Sequence, residues 1–158
     1  MENSKPEKHV VSASSIIPAR RDRIYSLLAN YKDGHQRILP KQFTALTVEQ
    51  GGIGAGTIIR FEMSFFGRKQ GFRAAVTEPE PGRVLVETYL DGNNAVTTFT
   101  INPGSAPADS QVTISTELPV RSGLLGRIER TLSTLLLRPI YIKELENLAR
   151  VATGPFGA

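Results

Sequence analysis

Apolar positions along the chain change period three times, and each change marks a different kind of element. The run from His9 to Ile17 is β-branched and Ser-rich, carries Val10, Val11, Ile16 and Ile17, and stops at Pro18, which predicts a first strand. From Pro18 the spacing becomes helical: Ile24, Leu27, Leu28 and Tyr31 fall at i, i+3, i+4 and i+7, while Arg20, Arg21, Arg23 and Lys32 lie off that stripe. Asp33-Gly34 breaks the helix, and residues Gln36 to Leu39 add a short second turn before Pro40. Beyond Phe43 the period is two. Segments Phe43 to Glu49, Gly56 to Phe66, Gln70 to Glu78, Val84 to Leu90, Ala95 to Ile101 and Gln111 to Leu118 read as six antiparallel strands separated by Gly- and Pro-bearing turns. Ile59, Phe61, Met63 and Phe65 alternate with Arg60, Glu62 and Ser64, as a sheet with one apolar face requires.

After Ser122, placed as an N-cap, the pattern predicts one helix of about thirty residues, about 45 Å long. Leu125, Ile128, Leu132, Leu135, Leu136, Ile140, Leu145 and Leu148 form its apolar stripe, which must be covered. Arg127, Glu129, Arg130, Lys143, Glu144, Glu146 and Arg150 fall mostly on the other side, and Pro139 predicts a kink or short break near residues 135 to 139.

Composition narrows the class without naming a chemistry. A chain of 158 residues, 40% hydrophobic and 22% charged, fits one globular domain, read here as residues 8 to 152 with flexible tails at 1–7 and 153–158. The absence of cysteine excludes a disulfide scaffold, a thiolate nucleophile and Cys-ligated metals. The N-terminus lacks the apolar core of a signal peptide, and no stretch approaches the ~18 apolar residues of a spanning helix, so the expectation is a cytoplasmic protein without integral membrane association. The net charge of +4 arises in the first half of the chain, yet no dense basic stripe with interleaved aromatics accompanies it, so no nucleic-acid partner is expected.

The element order, one strand, a helical pair, six strands and a long C-terminal helix, describes an α+β domain in which a curved seven-stranded antiparallel sheet wraps the last helix. On Ile16-Ile-Pro-Ala-Arg-Arg-Asp-Arg-Ile-Tyr-Ser-Leu-Leu-Ala-Asn30, Gly51-Gly-Ile-Gly-Ala-Gly-Thr57, Val76-Thr-Glu-Pro-Glu-Pro-Gly-Arg-Val-Leu-Val-Glu87, Thr97-Thr-Phe-Thr-Ile101 and the final helix, the chain resembles the START-like, or SRPBCC, superfamily with its helix-grip fold, and within it the polyketide cyclase/dehydrase branch. The resemblance spans about residues 9 to 152. It implies a cavity between sheet and helix that relatives use for lipids, aromatic polyketides, hormones or other lipophilic molecules, and it brings no shared catalytic signature. Relatives often carry Trp after the first helix, where this chain has Arg37-Ile38-Leu39-Pro40.

Candidate residues follow from that cavity. Ile59, Phe61, Met63, Phe65, Phe72, Tyr89 and Phe99, with Leu132 and Leu136 of the helix, are its expected lining, and Tyr141 is open to the same reading, although for each taken singly ordinary core is the better reading. Arg60, Glu62, Arg73, Glu87, Thr97 and Tyr89 are the strand-borne polar groups able to orient a ligand. His35 and Tyr89 are the candidates for proton transfer, His35 because its ring titrates near neutrality and sits in a loop bordering the cavity in relatives. Asp33 and His35 could pair, but two ligands are not a metal site, and no metal or other cofactor is expected. The glycines of 51–56 match no phosphate-binding spacing, and no G-x-S-x-G elbow surrounds a serine. The leading expectation is a carrier or binder of a lipophilic small molecule, monomeric or weakly dimeric. A polyketide cyclase/dehydrase-type enzyme acting on a poly-ketone is the alternative.

Overall fold

The computed structural model describes residues 6–155. It comprises β1 (Glu7–Ile17), α1 (Arg21–Ala29), a single 3-10 turn (His35–Arg37), β2 (Phe43–Gln50), β3 (Ile58–Phe65), β4 (Arg68–Glu80), β5 (Val84–Tyr89), β6 (Val96–Pro103), β7 (Ser110–Val120) and α2 (Gly123–Thr153). The seven strands form one antiparallel sheet in the order β1-β7-β6-β5-β4-β3-β2, so β1 closes the edge beside the last strand while β2 to β7 run as a meander. This is the α+β helix-grip architecture. β1 begins at Glu7 and α2 ends at Thr153, one residue beyond 8–152 at each end. The expected tails lie largely outside the described residues.

Alternation sets the inner face. Along β5 to β7 the residues Leu85, Phe99 and Ile114 share one cross-strand row, and Glu87, Thr97 and Thr116 share the next. On the other half of the sheet Phe61 lies opposite Phe72 and Ile59 opposite Ala74. In β2 the register slips between Thr44 and Thr47, where Ala45 takes a positive φ of 53°; such a bulge lets one strand re-aim a side chain. The β3–β4 connection is a two-residue turn at Phe66-Gly67, both with positive φ.

Helix α2 runs unbroken through Pro139, so the break expected there does not occur. Ser122 holds the N-cap position but makes no side-chain cap hydrogen bond. Its apolar stripe is covered only in the second half. Ile140, Tyr141, Glu144, Leu145, Leu148, Val151 and Ala152 are buried, whereas Leu124, Leu125, Ile128, Leu132 and Leu135 are exposed. The cause is visible at β1: His9 Nε2 lies 2.9 Å from Thr134 Oγ1, and the Arg130 guanidinium pairs with Glu7. In this part of the helix polar side chains meet the sheet edge and the leucines turn outward. Among the described residues no helix is long and apolar enough to cross a membrane.

Candidate functional site

Between the inner sheet face and α2 lies a cavity of about 140 Å³. That is close to the size of an engineered apolar cavity that binds benzene, about 150 Å³. Its walls include Ile59, Phe61, Met63, Phe65, Phe72, Tyr89 and Phe99 of the sheet, all seven of the strand residues expected there. The aromatic rings pack on one another, Phe61 stacked on Phe72 at 5.5 Å and both meeting Tyr89 edge-on. Leu132 and Leu136 are not in the wall. Leu132 is 53% exposed on the outer face of α2, and the helix side facing the cavity carries Leu137, Tyr141 and Glu144 instead.

One part of the lining is polar and buried. His35, Glu87 and Glu144 are 3%, 5% and 3% exposed, and all three line the cavity. His35 Nε2 lies 3.8 Å from Glu87 Oε1 and 3.9 Å from Glu144 Oε1. Local structure holds the ring in place. The last carbonyls of α1 lack helical partners, and His35 Nδ1 is 2.7 Å from one of them, Leu28 O; a carbonyl only accepts, so Nδ1 carries the proton. The His35 ring stacks on Tyr31 at 4.5 Å and meets Phe99 edge-on at 5.5 Å. Gly34 permits this close fold-back: a Cβ there would sit 2.6 Å from Leu27 O. Asn147 Nδ2 ties the same loop to α2 by donating to Ile38 O at 3.0 Å.

Tyr31 donates to Glu87 Oε1 at 2.7 Å, and its own backbone N–H donates to Gly52 O at 2.8 Å. The glycine-rich 51–56 segment is thus a brace for the end of α1. It is clamped from β4 by Glu78, which accepts from Tyr25 at 2.6 Å and from the Ala55 N–H at 2.8 Å. Asp33 is exposed, and the groups that face His35 are Leu28 O, Glu87 and Glu144, so the imagined Asp33–His35 pair is replaced by a histidine between two buried glutamates.

Electrostatically this cluster is short of compensation. Burial, opposed by the nearby His35 and by the Tyr31 hydrogen bond, pushes the Glu87 carboxyl above its ordinary range. Burial and the adjacent Glu87 push the Glu144 carboxyl well above it. Glu144 Oε1 is the buried side-chain oxygen left without a hydrogen-bond partner among the described residues. Across the sheet Thr97 and Thr116 exchange a hydrogen bond at 2.7 Å, and Thr116 bonds the Tyr141 hydroxyl, a row of hydroxyls level with Glu87. Burial and then Glu87 push the Tyr89 phenol well up, so at neutral pH Tyr89 is a proton donor and not a base.

Of the other polar candidates, Arg60 and Arg73 lie outside the cavity wall and share Glu49, at 2.8 and 2.7 Å. Glu62 is also outside the wall, while Glu87, Thr97 and Tyr89 are within it. The sequence reading placed Glu144 on the polar side of the helix. It is instead a buried member of the inner stripe, between Ile140 and Leu148 at four-residue spacing, and that spacing was the available signal. Tyr31 was assigned to the apolar stripe of α1; it follows that helix and sits buried with its hydroxyl on Glu87.

A curved antiparallel sheet closed by one long helix over a mainly apolar cavity defines a START/SRPBCC helix-grip protein. The chain belongs to the polyketide cyclase / dehydrase and lipid transport family, whose model matches residues 8–153. Among solved structures it is similar to the KanY protein, at 23% identity and TM-score 0.81, covering 94% of this chain and 99% of that one. It is similar to the Zhui aromatase/cyclase of a Streptomyces species at 12% identity and TM-score 0.75, covering 92% and 94%. Norcoclaurine synthase of Thalictrum flavum, solved in complex with dopamine and hydroxybenzaldehyde, aligns at 15% identity and TM-score 0.72 over 92% and 87%. At these identities the likeness is one of fold. The search of curated proteins found no match.

Proposed function

We propose that the protein binds or carries a lipophilic small molecule in the cavity between its sheet and α2. The observation that supports this is the cavity itself, walled by Phe61, Phe72, Phe99, Met63 and Leu137. An apolar cavity with a few convergent polar groups is the usual form of a small-molecule site. The fold is shared with proteins whose names or structures involve aromatic ligands, which is consistent with a cyclic or aromatic occupant. Native mass spectrometry of the protein from its own host, followed by organic extraction, tests the reading. The expected result is a one-to-one adduct that a cavity-filling Ala95→Phe variant does not retain; a bare polypeptide mass from the native host would overturn the carrier reading.

A second reading, an enzyme that cyclises or dehydrates a poly-ketone, is favoured by the proton-bearing groups His35, Glu87, Glu144 and Tyr89 on the same cavity. A poly-ketone substrate should then turn over about a hundredfold more slowly in His35→Ala or Tyr89→Phe. Turnover equal to wild type in both variants would remove these two residues from the chemistry.

A further inference from the structure

The polar part of the cavity has a sign. Of the residues that line it, those with an acidic or basic side chain, phenols aside, are His35, Glu87 and Glu144, and none is Lys or Arg. Two carboxyls therefore share one imidazole, and the geometry leaves one of them over. Glu87 Oε1 has the Tyr31 hydroxyl at 2.7 Å, while Glu144 Oε1 is buried, borders the cavity and has no hydrogen-bond partner among the described residues. The imidazole does not complete it, because Nε2 at 3.9 Å lies beyond hydrogen-bond distance. A buried oxygen in this state costs free energy that a ligand donor would recover, and a charged donor recovers most.

An anionic head, such as a fatty-acid carboxylate, meets two acidic groups and no fixed cation here, and burying it unpaired is costly. A fully apolar ligand leaves Glu144 as it is. A primary ammonium supplies compact donors for the unpartnered Glu144 oxygen and one positive charge, opposite to that of the one surplus carboxylate. Resting on the reading of this cavity as a small-molecule site, we propose that Glu144, assisted by Glu87, recognises the ammonium group of a small lipophilic amine whose apolar body lies among the phenylalanines. Aromatic bodies suit those walls, since Phe61, Phe72 and Tyr89 present both faces and edges.

A proton balance follows. In the empty cavity burial and Glu87 push the Glu144 carboxyl well above its ordinary value, while a bound ammonium favours its ionised form; wherever the empty site is protonated, binding therefore releases that proton to solvent. Amine affinity should therefore increase as pH is raised above the ordinary carboxyl range, until Glu144 is ionised without ligand. The other titratable groups facing this point are His35 and Glu87, with the phenols of Tyr31, Tyr89 and Tyr141, whose titration burial pushes up above their ordinary value.

Calorimetric titration of the wild-type protein with toluene, p-cresol and 4-methylbenzylamine, between pH 4.5 and 8, tests the assignment. The expected result at pH 8 is toluene binding with 4-methylbenzylamine at least about tenfold tighter. Amine affinity should fall toward pH 4.5 while toluene affinity stays flat. In Glu144→Gln, which removes the charge at nearly constant volume, the amine preference and its pH dependence should vanish while toluene still binds; retained toluene binding also shows that the variant is folded. Toluene and amine binding alike, p-cresol as the preferred ligand, pH-independent amine affinity, or an amine preference that survives Glu144→Gln would each overturn the ammonium site and leave the lipophilic cavity standing. No binding of any probe would overturn both.

Discussion

Glu144 sits one helical turn from Ile140 on one side and Leu148 on the other, and all three side chains are buried. A carboxyl in that position is destabilising when charged, and the pH dependence of stability should show it. Its folded-state titration lies above the ordinary value of 4.5, so between those two pH values the native chain binds more protons than the unfolded chain. Stability contributed by the protonated group is therefore fully present below about pH 4.5 and is lost as pH rises through the raised titration. Urea denaturation across pH 4.5 to 8 should show wild-type stability falling with pH by more than that of Glu144→Gln, the difference reaching about 1–3 kcal/mol. Parallel curves would contradict the placement of this carboxyl in a buried site. Glu87, which shifts in the same direction, adds a slope that remains in the variant.

Residue by residue, the cluster was partly legible. His35 stands out in sequence as a titratable ring in a loop, and Glu87 as a carboxylate inside an apolar strand. Glu144 was hidden by its neighbours, because Lys143 and Glu146 make the segment read as a solvated face. The hydrogen bond from Tyr31 to Glu87 joins residues 56 positions apart, and only the tertiary packing that brings the end of α1 and its following loop onto the sheet creates it.

Among the elements, α2 behaves as two pieces. The C-terminal part packs over the sheet and carries Tyr141, Glu144 and Leu148; the N-terminal part exposes its leucines. Leu148→Ala should cost about 2–5 kcal/mol, as full burial demands. Leu135→Ala, at a position 66% exposed, should stay within about 0.5 kcal/mol. Thermal and chemical denaturation of the two variants measures the contrast, and equal losses would mean that the outer face is packed. The α1–β2 loop makes a separate prediction. A Cβ at Gly34 would collide with the Leu27 backbone, so Gly34→Ala should shift the His35 ring off Leu28 O, visible as changed His35 resonances in the proton–nitrogen spectrum. Unchanged His35 resonances would show that the loop has room.

The strands were legible to within a few residues because period-two alternation and Gly- or Pro-bearing turns are local signals. The fate of the helix stripe was not. Periodicity shows that a face is apolar, and whether a neighbour covers it depends on where β1 ends and on polar contacts such as His9 with Thr134. Pro139 predicted a kink or a short break; its ring lies on an exposed side, where the missing N–H is tolerated, and α2 continues without a break.

On the scale of the whole molecule, one sheet and one long helix enclose a space that the side chains do not fill. Aromatic and aliphatic groups of β2 to β7 form most of its wall, and the loop after α1, β5 and α2 each deliver one member of a buried acid–imidazole group, His35, Glu87 and Glu144, to the same side. Lipophilic binding in this cavity is the central claim, and methyl-resolved NMR titration with toluene addresses it most directly. The account predicts saturable shifts at Ile59, Met63, Ile114 and Leu137, which line the cavity, with Leu124, Leu125 and Leu135 on the outer face of α2 unmoved. Shifts confined to the outer leucines, or no saturable shift at the cavity methyls, would contradict it.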